Sequence, residues 1–435
     1  MKKVLFWLLV ISGTMTAVQA QTNLGTKQKQ TLSLSLEQAQ QYAVENNRTI
    51  KEAGIAAKQA EQTKWVAISN YLPQANASYS QTGYFVDSIF IPLFGGNIPM
   101  KSSSSVNIQV SQAILNLNIL VGIQLSKLGL QMSENMIEQT ALTVKQNVNT
   151  SYYSILLLEN NKQILEKNLA NVRILAKATR DKVKVGIGEP LEADQVDVTV
   201  ANLENTLQST ERNIEVAYNS MRLLLGLGAA DELKLTSDLS SLMDKTNTFE
   251  LLVQSFQIDQ NIDKKNSDLS LEIYKKQYQS AVASIMPTLS LGYVHTEKIM
   301  KSTFDMQPKD TYSFSASMPL FAGGKNYANI RKAKLACLSS QLENDQLKDQ
   351  LLLQEKQLRY NLKSAQASYE IQKKNIEVSQ RVFDNITRKY QQGLTSSLEL
   401  TMANNNLLTA QGNYINAIMT LLSAQDALQK LLGTL

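Results

Sequence analysis

Cysteine, histidine and proline are scarce in this chain of 435 residues, which has one cysteine, one histidine and seven prolines. A lone cysteine, Cys337, cannot form a disulfide within the chain, so disulfides contribute nothing to the fold. A lone histidine, His295, cannot supply a histidine cluster for zinc, and we interpret it as a surface group at a strand. No HExxH, CxxC or glycine-rich phosphate loop occurs. The sequence therefore predicts no catalytic residues, no metal site and no cofactor, and we expect a protein that is not an enzyme.

Charge of one sign and long apolar runs are also lacking. The net charge of +5 is too weak to indicate a nucleic-acid partner. At the N-terminus, Lys2 and Lys3 precede a short apolar run at 4–11 and small residues at Val18 and Ala20. This pattern predicts a secretory signal peptide that is cleaved after Ala20. No later stretch reaches the roughly 18 apolar residues that a transmembrane helix needs.

The chain contains an internal repeat with an offset of 207 residues. Four residues carry it, since Gly186, Leu191, Glu192 and Gly226 recur as Gly393, Leu398, Glu399 and Gly433. Upstream, LPQANASY (72–79) recurs as MPTLSLGY (286–293). A fixed period predicts two structurally equivalent halves.

Each half has about 70 residues without proline, at 116–185 and 323–392. At 1.5 Å per residue, such a helix is about 100 Å long. Apolar residues recur every seven positions in the second stretch, at Leu362, Tyr369, Ile376, Phe383 and Tyr390. This spacing is typical of coiled coils, so we expect each long helix to pair with a returning helix.

Four shorter segments alternate apolar with small polar residues, as in YSFSASM (312–318), where Phe314 is followed by Ser315. The pattern predicts membrane strands with an apolar face toward lipid and a polar face toward a wet lumen. A sheet packed on helices is the alternative. Four strands cannot close a barrel, and open edges in lipid leave backbone groups unsatisfied. We therefore expect a homotrimer that shares one twelve-stranded barrel.

The fold class predicted is mainly α with a β-barrel contribution, in two copies of helix, helix, strand, strand, long helix and return helix. The chain begins with the signal peptide (1–20), a linker (21–34) and a helix capped by Ser35 and Gln38. The first repeat (35–226) has strands at 74–85 and 105–115, a long helix at 116–185 and a return helix at 191–226. A connector (227–250) follows, and then a second repeat (251–433). Its strands lie at 287–298 and 310–321, its long helix at 323–392 and its return helix at 398–432.

Three stretches carry a resemblance to a known family. PLFAGGKNYANIRKAK (319–334) resembles the strand-to-helix junction of TolC-like outer-membrane efflux proteins. RKYQQGLTSSLELTMANNNLLTAQ (388–411) and RDKVKVGIGEPLEADQVDVTVANLE (180–204) resemble their tip turns and returning helices. In the first half, AILNLNILVG (113–122) departs from the family, where a Gly-Gly is common.

The resemblance implies a homotrimer with a β-barrel in the lipid of the outer membrane and a helical barrel in the periplasm. It also implies docking onto a periplasmic adaptor and an inner-membrane pump. The function expected is passive conduction in a tripartite efflux or type I secretion system. The alternative is an exported structural coiled-coil protein of flagellin-like or scaffold type.

The tip turns at Gly186 and Gly393 hold the candidate functional residues. Glu192 and Glu399 follow these glycines by six positions. The alternative to a functional role is that each acid only stabilises the start of its helix, where negative charge offsets the helix dipole. The resemblance implies a constriction lined by acids, with Glu399 at one such position and Tyr390 as a locking tyrosine. Two positions depart from the family, because Met402 stands at a second acidic position and Thr395 at that of a locking arginine. From the repeat, we expect the Tyr390 hydroxyl to reach the Glu192 carboxylate.

Overall fold

The structure is a computed structural model that describes residues 31–83, 89–93, 96–100, 102–244, 248–300 and 308–435. The predicted signal peptide, and residues 21–30 of the predicted linker, lie outside the described residues. The strands are β1 (Thr31–Leu34), β2 (Gln74–Thr82), β3 (Ile89–Leu93), β4 (Gly96–Met100), β5 (Ser103–Leu115), β6 (Glu232–Leu235), β7 (Thr288–Met300) and β8 (Asp310–Ser317). The helices are α1 (Leu36–Asn46), α2 (Arg48–Ser69), α3 (Leu117–Lys184), α4 (Pro190–Leu225), α5 (Leu239–Asp244), α6 (Thr248–Val253), α7 (Ile262–Ala283), α8 (Lys325–Gln391) and α9 (Ser397–Leu432).

Four strands form one antiparallel sheet in the order β2–β5–β7–β8. Cross-strand pairing aligns the apolar positions, and one row consists of Ala75, Val110, Tyr293 and Tyr312. Ser290 and Ser315 pair on the opposite face. The alternation in the sequence thus becomes one apolar and one polar face of a single sheet.

Two smaller sheets occupy stretches for which the sequence predicted no strands. Between the two predicted strands of the first half, β3 and β4 form a hairpin. In the predicted linker, β1 pairs in parallel with β6 from the predicted connector. Leu34 and Leu233 of this small sheet are buried in the cluster where α1 meets α3. The pairing forms because it covers this apolar cluster.

The two long helices run without interruption over 68 residues in α3 and 67 residues in α8. Each is therefore about 100 Å long. The residues of the predicted seven-residue repeat point inward at Leu362, Phe383 and Tyr390. The capping box predicted at Ser35 and Gln38 is confirmed at the start of α1.

Two shorter helices meet end to end beside each long helix, and the junctions are alike in both halves. Asn47 caps the start of α2 and donates a hydrogen bond to the carbonyl of Leu224 near the end of α4, at 2.7 Å. Asn261 caps α7 and donates to the carbonyl of Leu431 near the end of α9, at 3.1 Å. At the first junction a Cβ on Gly226 would lie 2.6 Å from a backbone carbonyl oxygen, so only glycine fits there.

The helices form four columns in the order α2/α4, α3, α7/α9 and α8. This order matches that of strands β2, β5, β7 and β8, each of which connects directly to its column. The second and third columns are enclosed by neighbours on both sides, whereas the first and the last each have one free side in the chain. None of the helices in the described part of the chain has the length and apolarity of a membrane-spanning segment.

Candidate functional site

Both helical hairpins, α3–α4 and α8–α9, end in the same turn, far along the chain from the sheet. Gly186 and Gly393 adopt positive φ angles of 76° and 74°. In the first turn, the N–H of Ile187 bonds to the carbonyl of Lys182 at 3.0 Å, and the second turn repeats this bond. The arrangement is a Schellman motif, which needs a left-handed residue after the helix. This need explains why glycine recurs at these two positions.

Glu192 and Glu399 both lie in the first turn of a return helix. The backbone N–H of Glu399 bonds to the Oγ of Ser396 at 3.3 Å, and its carboxylate accepts a hydrogen bond from the Thr395 hydroxyl. Glu399 is exposed, whereas Glu192 is half-buried and follows a proline start to its helix. Both acids lie at the N-terminus of a helix, where the helix dipole favours negative charge. The interpretation of these acids as ordinary helix-start residues predicts the same positions.

Tyr390 is almost fully buried, with 4% of its surface exposed, in the apolar cluster that both hairpins share near the tip. Its hydroxyl lies 2.9 Å from the Oγ of Thr179 on α3. The Thr179 hydroxyl also lies 3.0 Å from the carbonyl of Leu175, to which it can donate a hydrogen bond. The ammonium group of Lys182 also lies over the tyrosine ring, 5.6 Å from its centre.

The structure thus links Tyr390 to the first hairpin through Thr179 rather than through Glu192. Burial raises the pKa of Tyr390, the bond with Thr179 opposes this rise, and the charge of Glu192 adds to it. Glu192 therefore acts on the phenol through space, without a hydrogen bond. The Glu399 carboxylate accepts its hydrogen bond from Thr395, within its own tip turn.

A line of buried polar residues runs along α9 and was missed by the sequence analysis. We call Ser397, Asn404, Gln411 and Gln425 the polar stripe, and each is 2–4% exposed. Their spacing is seven or fourteen residues, so they share one side of the helix. This spacing was a usable signal, but polar residues at heptad positions are usually assigned to a solvated face.

Three members of the polar stripe bond to polar side chains of other elements. The hydroxyl of Ser397 donates to the Oε1 of Gln195 on α4, at 2.8 Å. The Oδ1 of Asn404 accepts a hydrogen bond from the Nδ2 of Asn168 on α3, at 2.9 Å. Gln425 donates to a threonine hydroxyl of α6. The first two bonds join the second hairpin to the first.

The outer surface of the tip carries apolar side chains at repeated positions. Ile187 and Leu191 of the first hairpin are exposed, as are Leu394 and Leu398 of the second. Beside them, a groove of about 410 Å³ lies between α4 and α9 and is lined by Leu191, by Leu398 and by amide and hydroxyl groups. Such a surface can receive an amphipathic helical partner.

Away from the tip, His295 lies within β7, half-buried. Its Nδ1 is 2.6 Å from the carboxylate of Asp310, which also accepts a hydrogen bond from the Tyr293 hydroxyl at 2.7 Å. Across the described ranges, no three His, Cys, Asp or Glu side chains come together as metal ligands would.

Comparison with known proteins identifies the family. A family model described as "Outer membrane efflux protein" matches residues 39–227 and 258–434. The outer membrane efflux protein BepC of Brucella suis is 20% identical, over 98% of this chain and 89% of BepC.

Solved structures share the fold. The CmeC outer membrane channel of Campylobacter jejuni has a TM-score of 0.74 at 18% identity, covering 92% of this chain and 85% of CmeC. VceC, an outer membrane protein of Vibrio cholerae, has a TM-score of 0.74 at 16% identity, covering 92% of this chain and 96% of VceC. The chain therefore belongs to the outer membrane efflux protein family, and it is an outer-membrane transport protein with a periplasmic helical part, not an enzyme.

Proposed function

We propose that the chain is one subunit of a channel-tunnel that conducts substrates passively from the periplasmic side to the outside. It serves a tripartite efflux or type I secretion system, in which an inner-membrane pump supplies the energy and a periplasmic adaptor joins pump to channel. One observation carries the proposal. The strands and the helical columns follow the same order, so sheet and helices leave free sides at the same two edges of the chain.

The sheet edges support assembly into a trimer. β2 and β8 are the outer strands, and within the described ranges each pairs with one strand only. Because the four strands alternate in direction, β8 of one chain would run antiparallel to β2 of the next. Each backbone group left unpaired in lipid costs several kcal/mol. Three chains joined in this way close a barrel of twelve strands.

The helical edges carry matching apolar surface. On α8, an exposed stripe consists of Leu335, Leu342, Leu353 and Tyr360. Their spacing of 7 or 11 residues keeps them within about 20° of one direction on the helix. On the opposite edge, Val216 and Leu223 of α4 are exposed. We propose that α8 of one chain packs along α4 of the next and buries both surfaces.

The two faces of the sheet support the assignment of lipid and lumen. The apolar row that includes Val110 and Tyr312 would face lipid, and the serine pairs would face the lumen. β5 and β7 have 13 residues each, which is enough to span an outer membrane.

The adaptor is proposed to dock at the tip. Ile187, Leu191, Leu394 and Leu398 expose apolar surface there, next to the groove between α4 and α9. Three copies of this surface in a trimer would offer six repeat-related docking positions, because each chain carries the tip turn twice.

The gate is proposed to comprise Tyr390, Glu192 and Glu399, with Thr179 as the partner of the tyrosine. The hydrogen bond between Tyr390 and Thr179 joins α8 to α3 and so connects the two hairpins at the tip. Glu192 adds negative charge beside it, and Glu399 from three chains would add a ring of like charge that favours cations. A hydrogen bond such as that between Tyr390 and Thr179 would stabilise the closed arrangement by about 0.5–1.5 kcal/mol.

Conductance in planar bilayers tests the gate. Tyr390→Phe and Thr179→Val each keep the packing and remove one hydroxyl, so each should increase the frequency of opening a few-fold. The double variant should open no more than either single variant, because both lose the same bond. Glu192→Gln should have a smaller effect, and unchanged conductance in all three single variants would exclude the gate.

Native mass measurement and bilayer conductance of the full chain, extracted from outer membranes, test the function as a whole. We expect a mass of three chains and discrete ion-conducting steps. A monomer with a complete barrel, or a trimer that never conducts, would rule the proposal out.

A further inference from the structure

Helix α9 buries two adjacent lines of residues that differ in chemistry and lie about 60° apart around the helix. One is a line of leucines, Leu400, Leu407, Leu421 and Leu428, which pack into the apolar clusters. The other is the polar stripe, whose members Ser397 and Asn404 bond to the first hairpin. Near the tip, the contact between the hairpins therefore combines apolar packing with these two polar bonds.

The polar stripe is incompletely satisfied in the arrangement described. Asn404 and Asn168 share one hydrogen bond, while the Nδ2 of Asn404 and the Oδ1 of Asn168 are buried with no partner in the protein. The side-chain oxygens of Gln411 and Gln425 are likewise buried and have no hydrogen-bond partner in the protein. Buried polar groups without partners are unfavourable, and they gain hydrogen bonds when water reaches them.

These two observations have a mechanical consequence. Separating leucines exposes apolar surface to water, which is unfavourable in proportion to the area. Separating the amides of the polar stripe instead allows water to supply the hydrogen bonds that they lack. A buried amide pair also sets register, because a shift along the helix leaves both amides without a partner, and polar core residues serve this purpose in coiled coils.

We propose that the Asn168–Asn404 pair is the positioning element of a seam along which the two hairpins part when the tip opens. The pair fixes the register of α9 against α3 in the closed arrangement, and its unmet groups reduce the cost of parting. Each hairpin stays intact, since its two helices pack more extensively on each other than on the other hairpin. This inference rests on the proposed gated channel, and it adds the residue pair at which the contact between the two hairpins opens.

Replacing the pair with leucine tests the proposal. The double variant Asn168→Leu/Asn404→Leu keeps the branched shape of both side chains and removes the unmet groups. We expect the melting temperature of the trimer to rise by about 2 °C or more. Open time in planar bilayers should fall about tenfold, because the closed state gains stability that the open state does not. Asn405→Leu is the matched control, since the neighbouring asparagine is exposed, and it should change neither quantity.

A second pair of substitutions acts in the opposite direction. Asn168→Asp/Asn404→Asp also keeps the shape, and ionisation places two carboxylates against each other across the seam. We expect frequent opening at pH 8 and a return to wild-type openings at pH 4, where protonated carboxyls can share hydrogen bonds as the amides do. Recovery within one protein preparation shows that the variant is folded.

The results separate this inference from the function on which it rests. If the wild type neither forms trimers nor conducts, the proposed channel is wrong. If the wild type conducts and the aspartate pair shows no dependence on pH, the seam does not part at this position and the inference is wrong. If the leucine pair raises the melting temperature without shortening open time, the pair is a packing feature only. If the leucine pair does not assemble, the aspartate pair decides alone.

Discussion

The two long helices descend from the same repeat, yet they differ in how deeply the chain buries them. α3 has 16 buried residues, whereas α8, of almost equal length, has 7. The return helices differ in the opposite sense, with 15 buried residues in α9 and 7 in α4. The inner columns contain α3 and α9, and the edge columns contain α4 and α8. The position of a helix in the row of four columns, and not the repeat to which it belongs, therefore determines how much of its surface the chain itself buries.

Two positions of the repeat illustrate the difference. Tyr153 on α3 is 6% exposed, and its counterpart Tyr360 on α8 is 70% exposed. Asp426 on α9 is buried, and its counterpart Asn219 on α4 is exposed. The two inner residues also meet, with the Tyr153 hydroxyl 3.4 Å from the Asp426 carboxylate. The edge counterparts, by contrast, lie exposed on the outer columns.

The tyrosine pair gives the largest expected difference. Tyr153→Ala should cost about 3–5 kcal/mol of folding stability, because a large buried side chain leaves a cavity. Tyr360→Ala should leave the folded chain stable and reduce the yield of trimer. Chemical unfolding and native mass measurement of both variants check this, and equal losses of stability would break the comparison.

The buried carboxyl of Asp426 should make stability depend on pH. Burial raises the pKa of Asp426 to about 7, while hydrogen bonds from Asn149 and Tyr153 oppose the rise. Among the titratable groups of the packed elements, Tyr153 is the one that faces it, and it is neutral throughout this range because its own pKa is raised by burial.

The sign follows from the two states. The unfolded chain loses this proton near pH 4 and the folded chain near pH 7, so stability falls by roughly 1.4 kcal/mol per pH unit at most between those values. It then stays level at higher pH. Asp426→Asn should therefore raise the melting temperature at pH 8 relative to the wild type, with little change at pH 4. Asn219→Asp, on the edge helix, is the control and should leave the pH profile unchanged.

The comparison extends to the edge strand β8, which is exposed on both faces in the single chain. Phe314→Arg would place a charge on the proposed lipid face, at a cost of about 2–4 kcal/mol near the midplane. It should reduce the yield of trimer in the outer membrane. Ser315→Arg, on the proposed lumen face, should assemble normally and alter conductance. If both arginines are tolerated equally, the assigned facing is reversed or absent.

The smallest expected effect comes from a place where the halves are alike. Asn47→Ala and Asn261→Ala each remove a helix cap and a bond to the helix that ends at the same junction, so each should cost about 0.5–2 kcal/mol. Similar losses in thermal unfolding would sharpen the comparison, since they would show that halves with equivalent contacts behave equally. A large loss in one variant alone would mean that the junctions are not equivalent.

Much of the fold was predictable because its signals are local. The capping box at Ser35 depends on residues within one turn, and it is confirmed. The glycines at the tip turns are required by the backbone conformation of Gly186 and Gly393, whatever the surroundings. The alternation within each strand likewise follows from the geometry of a single strand. The small sheet of β1 and β6 was not predictable, because its strands have four residues each and depend on a partner about 200 residues away.

The candidate site shows the limit of such reasoning. Tyr390 was expected to contact Glu192, since both flank equivalent turns. Its hydroxyl bonds instead to Thr179, one helical turn or more before the first tip turn, because the offset between α3 and α8 depends on packing over the whole hairpin. Repeat spacing carries no information about that offset.

By itself, the sequence determined the duplication, the long unbroken helices, the tip turns and the alternating strands, since each depends on neighbours within a few residues. Only the tertiary structure decided which copy lies inside. Tyr152 and Arg359 occupy the same repeat position, and both bind backbone carbonyls, of Leu34 at 3.1 Å and of Leu252 at 2.6 Å. The two equivalent positions hold different side chains because each position faces a different segment of the chain. Which segment a position faces depends on the order in which the helical columns pack, and no local sequence pattern encodes that order.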